Sequence, residues 1–307
     1  MPQWAWDPMM KMAPDAWLWL GDSVYGDLND TAYSLSANWK AATPGHLRRL
    51  YNIQKNNPGY VRFMRGTGAK IFGVWDDHHF RNHNAHSTYP HKGDSQKAFL
   101  DFLDEPKDSP RRKQNGVYST HLLDNGRIRL ILLDVRYNRT PYSEGQDGDF
   151  LGEDQWKWFE SVLISSQAEV NIIAGGIQFL PPRTTALGIP IAESWTRFPS
   201  ARERLLNLVL SSGVRAPIFL SGDVHFAEIS EAVCSCQEPL ENESNYALAN
   251  ESGGGRTDDN GWIMPSLLDA FLGLPGNLAY QKEGCCFVIE ESSTVDRLLN
   301  VARGSSF

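Results

Sequence analysis

Three apolar runs of this chain each end in a cluster of side chains that commonly ligate metals. They are AWLWLGDSVYGD (16–27), AKIFGVWDDHH (69–79) and APIFLSGDVHFAE (216–228). A buried strand that presents polar groups beyond its C-terminal end is how open α/β sheets build binding sites. Three such runs predict a metal centre assembled from separate segments of the chain.

The bulk composition indicates a globular protein. The chain has 307 residues, of which 41% are hydrophobic and 21% are charged, which suits one large α/β domain or two smaller ones. Its net charge of −8 argues against nucleic-acid-specific binding, but an anionic substrate stays compatible because bound cations can dominate the local field. No apolar run approaches a membrane span, and the first 15 residues lack the pattern of a signal peptide.

Strands and helices are predicted to alternate along the chain. Strands are predicted at 16–20, 70–75, 116–121, 127–134, 170–174, 218–220 and 285–290. Helices are predicted over 1–14, 38–65 with breaks at two Pro-Gly pairs, 95–103, 153–166 and 200–211. The Asp124-Asn125-Gly126 turn predicts a hairpin between the third and fourth strands. This order indicates a layered α/β fold with antiparallel additions.

The texture of the sequence changes after residue 232. We expect a core over 1–232, an irregular insert or active-site cover over 233–283, and a final strand with a C-terminal tail over 284–307. The middle stretch is rich in Glu, Asn, Ser and Gly, and an irregular segment of that length is usually functional or disordered.

The first ligand cluster is GDSVYGD. Asp22 follows a predicted strand, where a carboxylate can bridge two cations, and Tyr25 lies three residues further on. A phenolate ligand favours iron(III). The simpler alternative is a solvated acid in a turn that ends a strand.

The other two clusters carry acids and imidazoles together. In WDDHH, two acids and two imidazoles follow a buried strand, where such groups are costly to bury unpaired. One acid can ligate a metal while the neighbouring histidine faces the substrate, and a paired polar turn is the alternative. In GDVH, strand alternation puts Asp223 and His225 on one face, although a buried His held by a carboxylate is the alternative. Arg136 follows a strand and either clamps phosphate or pairs with an acid.

These motifs, in this order, resemble the PhoD-type alkaline phosphatase/phosphodiesterase family of metallophosphatases, over about residues 1–229. The segments that carry the resemblance are WLGDSVYGD (19–27), VWDDHHF (74–80), SQKAFLDFLDEPKDSPRR (95–112), LILLDVRYNR (130–139), LGEDQWKWFE (151–160), IIAGGIQFLP (172–181), ESWTRFPSARERLL (193–206) and FLSGDVHFAEI (219–229). The resemblance implies a four-layer α/β/β/α sandwich with mixed sheets and two or more metal ions, iron(III) with calcium, or else manganese or zinc. It also implies export, although no signal peptide is visible.

The resemblance also implies roles for individual residues. His78 and Arg136 would act on the substrate, a small-molecule phosphate ester. The implied metal ligands are Asp22, Tyr25, Asp77, Asp223, His225 and Gln178.

The chain departs from the usual family pattern in four places. The family's first strand, which supplies a ligand, is expected to be missing. His79 stands where the family usually has an acid that would orient the catalytic imidazole. Arg81-Asn82-His83-Asn84 replaces a Gly-x-Asn-Asp pattern, and the usual Ser-Gly-x-Thr-His stretch after residue 229 is not recognisable.

The sequence therefore leaves three functional hypotheses. The first is a phosphoric ester hydrolase that uses a metal-activated hydroxide on monoesters, diesters or both. The second is a catalytically impaired family member that binds phosphate esters or a protein partner. The third is a GDS-type serine esterase with Ser23 as nucleophile, but its Asp-x-x-His pair is replaced by Asp223-Val224-His225, which is one residue too short.

Overall fold

Helices and strands alternate along most of the chain, as the sequence predicts. The computed structural model describes residues 5–27, 42–80, 85–180 and 193–223 in full, and 185–186, 189–190, 229–235, 277–282 and 285–292 as strand backbone. In chain order the elements are α1 (Trp6–Lys11), β1 (Ala16–Leu20), α2 (Pro44–Lys55), α3 (Pro58–Thr67), β2 (Lys70–Val74), α4 (Asp77–Phe80), α5 (Lys92–Phe102), β3 (Ser119–Leu123), β4 (Ile128–Leu132), α6 (Glu153–Ile164), β5 (Val170–Gly175), β6 (Thr185–Ala186), β7 (Ile189–Pro190), α7 (Pro199–Ser211), β8 (Pro217–Ser221), β9 (Ile229–Ser235), β10 (Asn277–Lys282) and β11 (Cys285–Ser292).

The residues group into two units. The first comprises 1–177 and 198–223, and the second comprises 178–197 and 224–307. The domain boundaries predicted at 232 and 283 stay predictions.

Proline and capping residues set where the helices between the first two strands begin. The Thr43 hydroxyl accepts from the His46 amide ahead of Pro44, and the Asn57 carboxamide caps α3 in the same way ahead of Pro58. Helix α3 ends at Gly68 in the left-handed conformation. The predicted helical stretch 38–65 is therefore two helices, and it breaks at the second Pro-Gly pair.

The described strands of the first unit form two sheets. Strands β1 and β2 are parallel, with Leu20 opposite Val74, so both end at the same edge. The second sheet has the order β3-β4-β5-β8, in which β3 and β4 form the predicted antiparallel hairpin and β4, β5 and β8 are parallel. Polar residues that follow these parallel strands are thereby brought to the C-terminal edges of the sheets.

The two sheets pack against each other through aliphatic side chains. Alternation along β1 directs Leu18 and Leu20 toward the second sheet, while Trp17 and Trp19 pack with the aromatic side chains of α1 and α3. The shared core contains Val74, Leu130, Leu132 and Ala174, flanked by Leu18, Leu20, Phe72, Leu123, Ile172 and Leu220. The mixed α/β class is confirmed, and the four-layer sandwich and the missing strand stay predictions.

The second unit contains a sheet of order β10-β11-β9, with both pairs antiparallel. Strand β11 confirms the predicted final strand, whereas β10 lies in the stretch that the sequence predicts to be irregular. Among the helices of the described ranges, none is long and apolar enough to cross a membrane.

The predicted elements differ from the observed ones mainly at polar boundaries. Within the WDDHH cluster, Asp77–Phe80 forms the short helix α4, which begins three residues after β2 ends. Helix α5 begins at Lys92, three residues before its predicted start, since its first turn is polar and shows no apolar periodicity.

Candidate metal centre

A sharp turn after β1 brings Asp22 against the end of β2. Gly21 has φ +93°, and its amide donates to the Val74 carbonyl at 3.1 Å. A Cβ on Gly21 would lie 2.7 Å from Cβ of Asp76, so only glycine fits at this approach. Asp22 itself has φ +43°, also in the left-handed region.

Three predicted site residues converge at this edge of the sheet. Asp22, Asp77 and His78 each offer a ligand atom within 4.8 Å of the other two. Burial raises the pKa of Asp22; the nearby His78 opposes that rise and the Asp77 carboxylate adds to it. Tyr25 hydrogen-bonds to Asp22, and its ring packs on the His78 ring at a centroid distance of 4.5 Å. The arrangement suits a cation, because two partly desolvated carboxylates lie side by side.

His78 is held from both sides of its ring. Its Nδ1 lies 2.8 and 2.9 Å from the two carboxylate oxygens of Asp27, and its Nε2 lies 3.8 Å from Oδ1 of Asp77. Burial acts to lower the pKa of His78, but the hydrogen bond to Asp27 and the charges of Asp77 and Asp22 outweigh it and raise the pKa to about 9. Asp27 is 1% exposed, so the pair is shielded from water.

His79 joins the two segments of the site. Its Nε2 lies 2.9 Å from the Ser23 hydroxyl and 3.0 Å from the Val24 amide, while the Asp76 amide points at Nδ1 from 3.1 Å. Burial, with the charges of His78 and Arg136, lowers the pKa of His79 to about 3. His79 is therefore neutral and tethers the turn after β1 to the turn after β2.

Arg136 lies behind the acids. Arg136 and Asp76 are both 0% exposed, and the guanidinium Nε contacts Oδ1 of Asp76. The same guanidinium lies 4.0 Å from Oδ1 of Asp77. Gly21 and Gly176 pack on the Asp76 side chain, since a Cβ on either would approach it within 2.8 Å. Of the two roles that the sequence leaves open for Arg136, the ion pair with an acid is the one that its burial favours.

The remaining predicted ligands are described by the structure to different extents. Asp223 lies two residues after β8, at φ +79°. Its negative charge contributes to raising the pKa of Asp76. Gln178 is buried in the second unit, where it forms a β-bridge with Ser194. His225 lies outside the described residues. The ligand roles of Asp223, His225 and Gln178 therefore stay predictions.

Sequence reasoning missed the role of Asp27, and it counted Asp76 in the ligand cluster without identifying its partner. Asp27 contacts His78 across 51 positions of sequence, and Asp76 pairs with Arg136 across 60 positions. Both lie inside the quoted motifs, so their proximity to ligand residues was visible. Their partners were not, because each partner comes from another segment.

The chain is an α/β protein. The acids and imidazoles that follow its parallel strands form a candidate metal centre. The chain belongs to the PhoD-like phosphatase family, which it matches over residues 3–252, and this confirms the family predicted from its motifs.

Two known proteins are similar to this chain. The chain is 28% identical over 250 residues to alkaline phosphatase D of Bacillus subtilis (strain 168), covering 72% of this chain and 43% of that protein. A solved structure titled "Structure of PhoD" has a TM-score of 0.57 at 21% identity, covers 74% of this chain and 49% of its own, and supports the fold alone. The chain spans less than half the length of these relatives.

Proposed function

We propose that this chain is a metal-dependent phosphoesterase. The observation that carries the proposal is the convergence of Asp22, Asp77 and His78 within 4.8 Å, in a member of the PhoD-like phosphatase family. The proposed substrate is a small-molecule phosphate monoester or diester.

The proposed ligands are oxygen and imidazole donors. Asp22, Tyr25 and Asp77 would supply carboxylate and phenol oxygens from the turns after β1 and β2, and the family resemblance alone proposes Asp223, His225 and Gln178 as further ligands. Hard oxygen donors suit calcium and manganese, while a phenolate with imidazole suits iron(III), and zinc is a further alternative. Bound metal would supply an activated water and offset phosphoryl charge.

The residues of the chain then have distinct tasks. Tyr25 holds Asp22 through a hydrogen bond, and the buried guanidinium of Arg136 balances the acids Asp76 and Asp77. His78 presents Nε2 toward the Asp77 side, where it would hold a proton for the leaving oxygen of the ester. Direct contact of Arg136 with phosphate would require it to leave a fully buried ion pair, so we propose that it acts through the acids.

The geometry weighs against the serine esterase hypothesis. Ser23 does contact an imidazole, at 2.9 Å from Nε2 of His79. The other nitrogen of that ring faces the backbone amide of Asp76, where a Ser-His-acid triad needs a carboxylate.

The test is hydrolysis of 4-nitrophenyl phosphate and bis(4-nitrophenyl) phosphate across pH, with and without chelator. Wild type, Asp77→Asn and the exposed-site control Asp94→Asn are compared after loading with iron, calcium, manganese or zinc. We expect chelator-sensitive turnover in wild type and the control but not in Asp77→Asn. A folded wild type that binds these metals without turnover would favour the impaired, phosphate-binding member instead. Turnover that resists chelator and is lost in Ser23→Ala would favour the serine esterase.

A further inference from the structure

We propose that Asp27 is the positioning residue of His78, fixing the ring so that Nε2 faces the metal-binding side; this rests on the phosphoesterase function proposed above. The sequence motifs assign no role to Asp27. They lead us to expect the orienting acid at position 79, which is a histidine here.

The contact restrains the imidazole through one nitrogen. Both carboxylate oxygens of Asp27 lie within 2.9 Å of His78 Nδ1, and the Asp27 side chain is 0% exposed. An ionised carboxylate only accepts hydrogen bonds, so Nδ1 must carry the proton that is donated to it. The contact therefore leaves Nε2 as the nitrogen turned toward Asp77, at 3.8 Å.

The backbone next to Asp27 packs against α4, the short helix that contains His78. The Gly26 amide donates to the His78 carbonyl at 3.2 Å. A Cβ on Gly26 would lie 2.9 Å from Cβ of Ala42 and 3.2 Å from that carbonyl, so glycine permits the close approach. The Tyr25 ring packs on the imidazole from the same segment. Residues 25–27 thus hold His78 through a ring contact, a backbone hydrogen bond and a carboxylate.

His79 is not available for this orienting task. Its nitrogens face Ser23, Val24 and the Asp76 amide, and a neutral imidazole cannot supply the negative charge of a carboxylate. Asp27 supplies that charge from a different segment. The substitution at position 79 therefore leaves His78 with an acidic partner.

The first test needs no bound metal and no turnover. Proton–nitrogen NMR of the full, metal-free chain with labelled histidines should show a slowly exchanging proton on His78 Nδ1, assigned by its loss in His78→Gln. We expect that signal to disappear in Asp27→Ala and to persist in Asp149→Asn. Asp149 is a suitable control because it too is an acid shielded from water in part, and it accepts backbone hydrogen bonds from Gly152 and Leu151. An unprotonated Nδ1 in wild type, or an unchanged signal in Asp27→Ala, would overturn the proposal.

The second test uses the isosteric Asp27→Asn variant, which keeps the side-chain shape if Asp27→Ala does not fold. Loss of an outer partner of a site imidazole typically costs about 10- to 100-fold in activity. We expect a fall of that size in kcat on phenyl phosphate, a smaller fall on 4-nitrophenyl phosphate, and little change in KM. The better leaving group needs less help from a proton donor.

The two substrates separate positioning from general damage. An equal loss on both esters in Asp27→Asn would contradict action through His78, because partial unfolding lowers both rates alike. An inactive wild type with metals supplied would count against the phosphoesterase function itself, and the NMR result would then decide the role of Asp27.

Discussion

At the scale of single residues, the buried ion pair between Arg136 and Asp76 should be costly to break. Arg136→Met would leave the Asp76 carboxylate buried without its guanidinium, and removing one partner of such a pair typically costs about 3–5 kcal/mol. We expect a loss of that order in the free energy of unfolding, measured with urea. Arg62→Met is the matched control, because Arg62 and Asp7 form a pair that is 57% exposed on each side. Equal losses in the two variants would show that burial does not matter here.

Gly21 is a second residue whose replacement should have a specific structural cost. Gly21→Ala would strain a backbone at φ +93° and place Cβ 2.7 Å from Asp76, whereas Gly68→Ala strains φ +66° with no atom within 4 Å. Both variants should lower the unfolding midpoint, and Gly21→Ala should also weaken metal binding by displacing Asp76 and Asp22. Calorimetric titration with manganese checks the second effect. Retained affinity in Gly21→Ala would contradict the close packing at this turn.

At the scale of elements, strand β3 carries a titratable side chain that should make stability depend on pH. Burial of His121 against Phe72, helped by the charge of Arg111, lowers its pKa to about 4. The unfolded chain, with an ordinary pKa near 6.5, binds more protons between these values. Stability should therefore fall as pH drops from about 6.5 to 4, and His79 acts in the same direction.

The comparison between His121→Gln and His91→Gln isolates this contribution. Thermal unfolding from pH 7 to 4 should show a smaller fall in midpoint for His121→Gln than for wild type, while the exposed His91→Gln follows wild type. Parallel curves for wild type and His121→Gln would show that His121 does not contribute.

The strands and helices also show which features of the fold could be predicted from the sequence alone. Strand β1 and its partner β2 were predictable because a short, unbroken apolar run that ends in acids is typical of a buried strand. Helix α4 was not, since Asp77–Phe80 is too short for any periodicity. The contacts of His79 and Asp27 could not be predicted, because they depend on two turns meeting in space. Motif spacing identifies candidate ligands, but it does not say which acid faces which imidazole.

At the scale of the whole molecule, the candidate metal centre ties together segments that are far apart in sequence. Asp22 follows β1, Asp77 begins α4, and both belong to the first unit. A ligand that binds the folded state but not the unfolded one stabilises the fold by RT ln(1 + [L]/Kd), about 2.7 kcal/mol at 100 times Kd. Metal should therefore raise the unfolding temperature of the entire first unit and not only order a loop.

Metal-dependent unfolding of Asp22→Asn and Asp77→Asn tests this directly. In scanning calorimetry, wild type and the exposed control Asp94→Asn should gain several degrees on addition of calcium, manganese or iron and lose them on chelation. Neither site variant should respond, although Asp22→Asn should unfold at or above the metal-free wild-type temperature, because burial and the Asp77 charge both disfavour the ionised Asp22 carboxylate. A metal response that survives both substitutions would place the ions elsewhere in the chain.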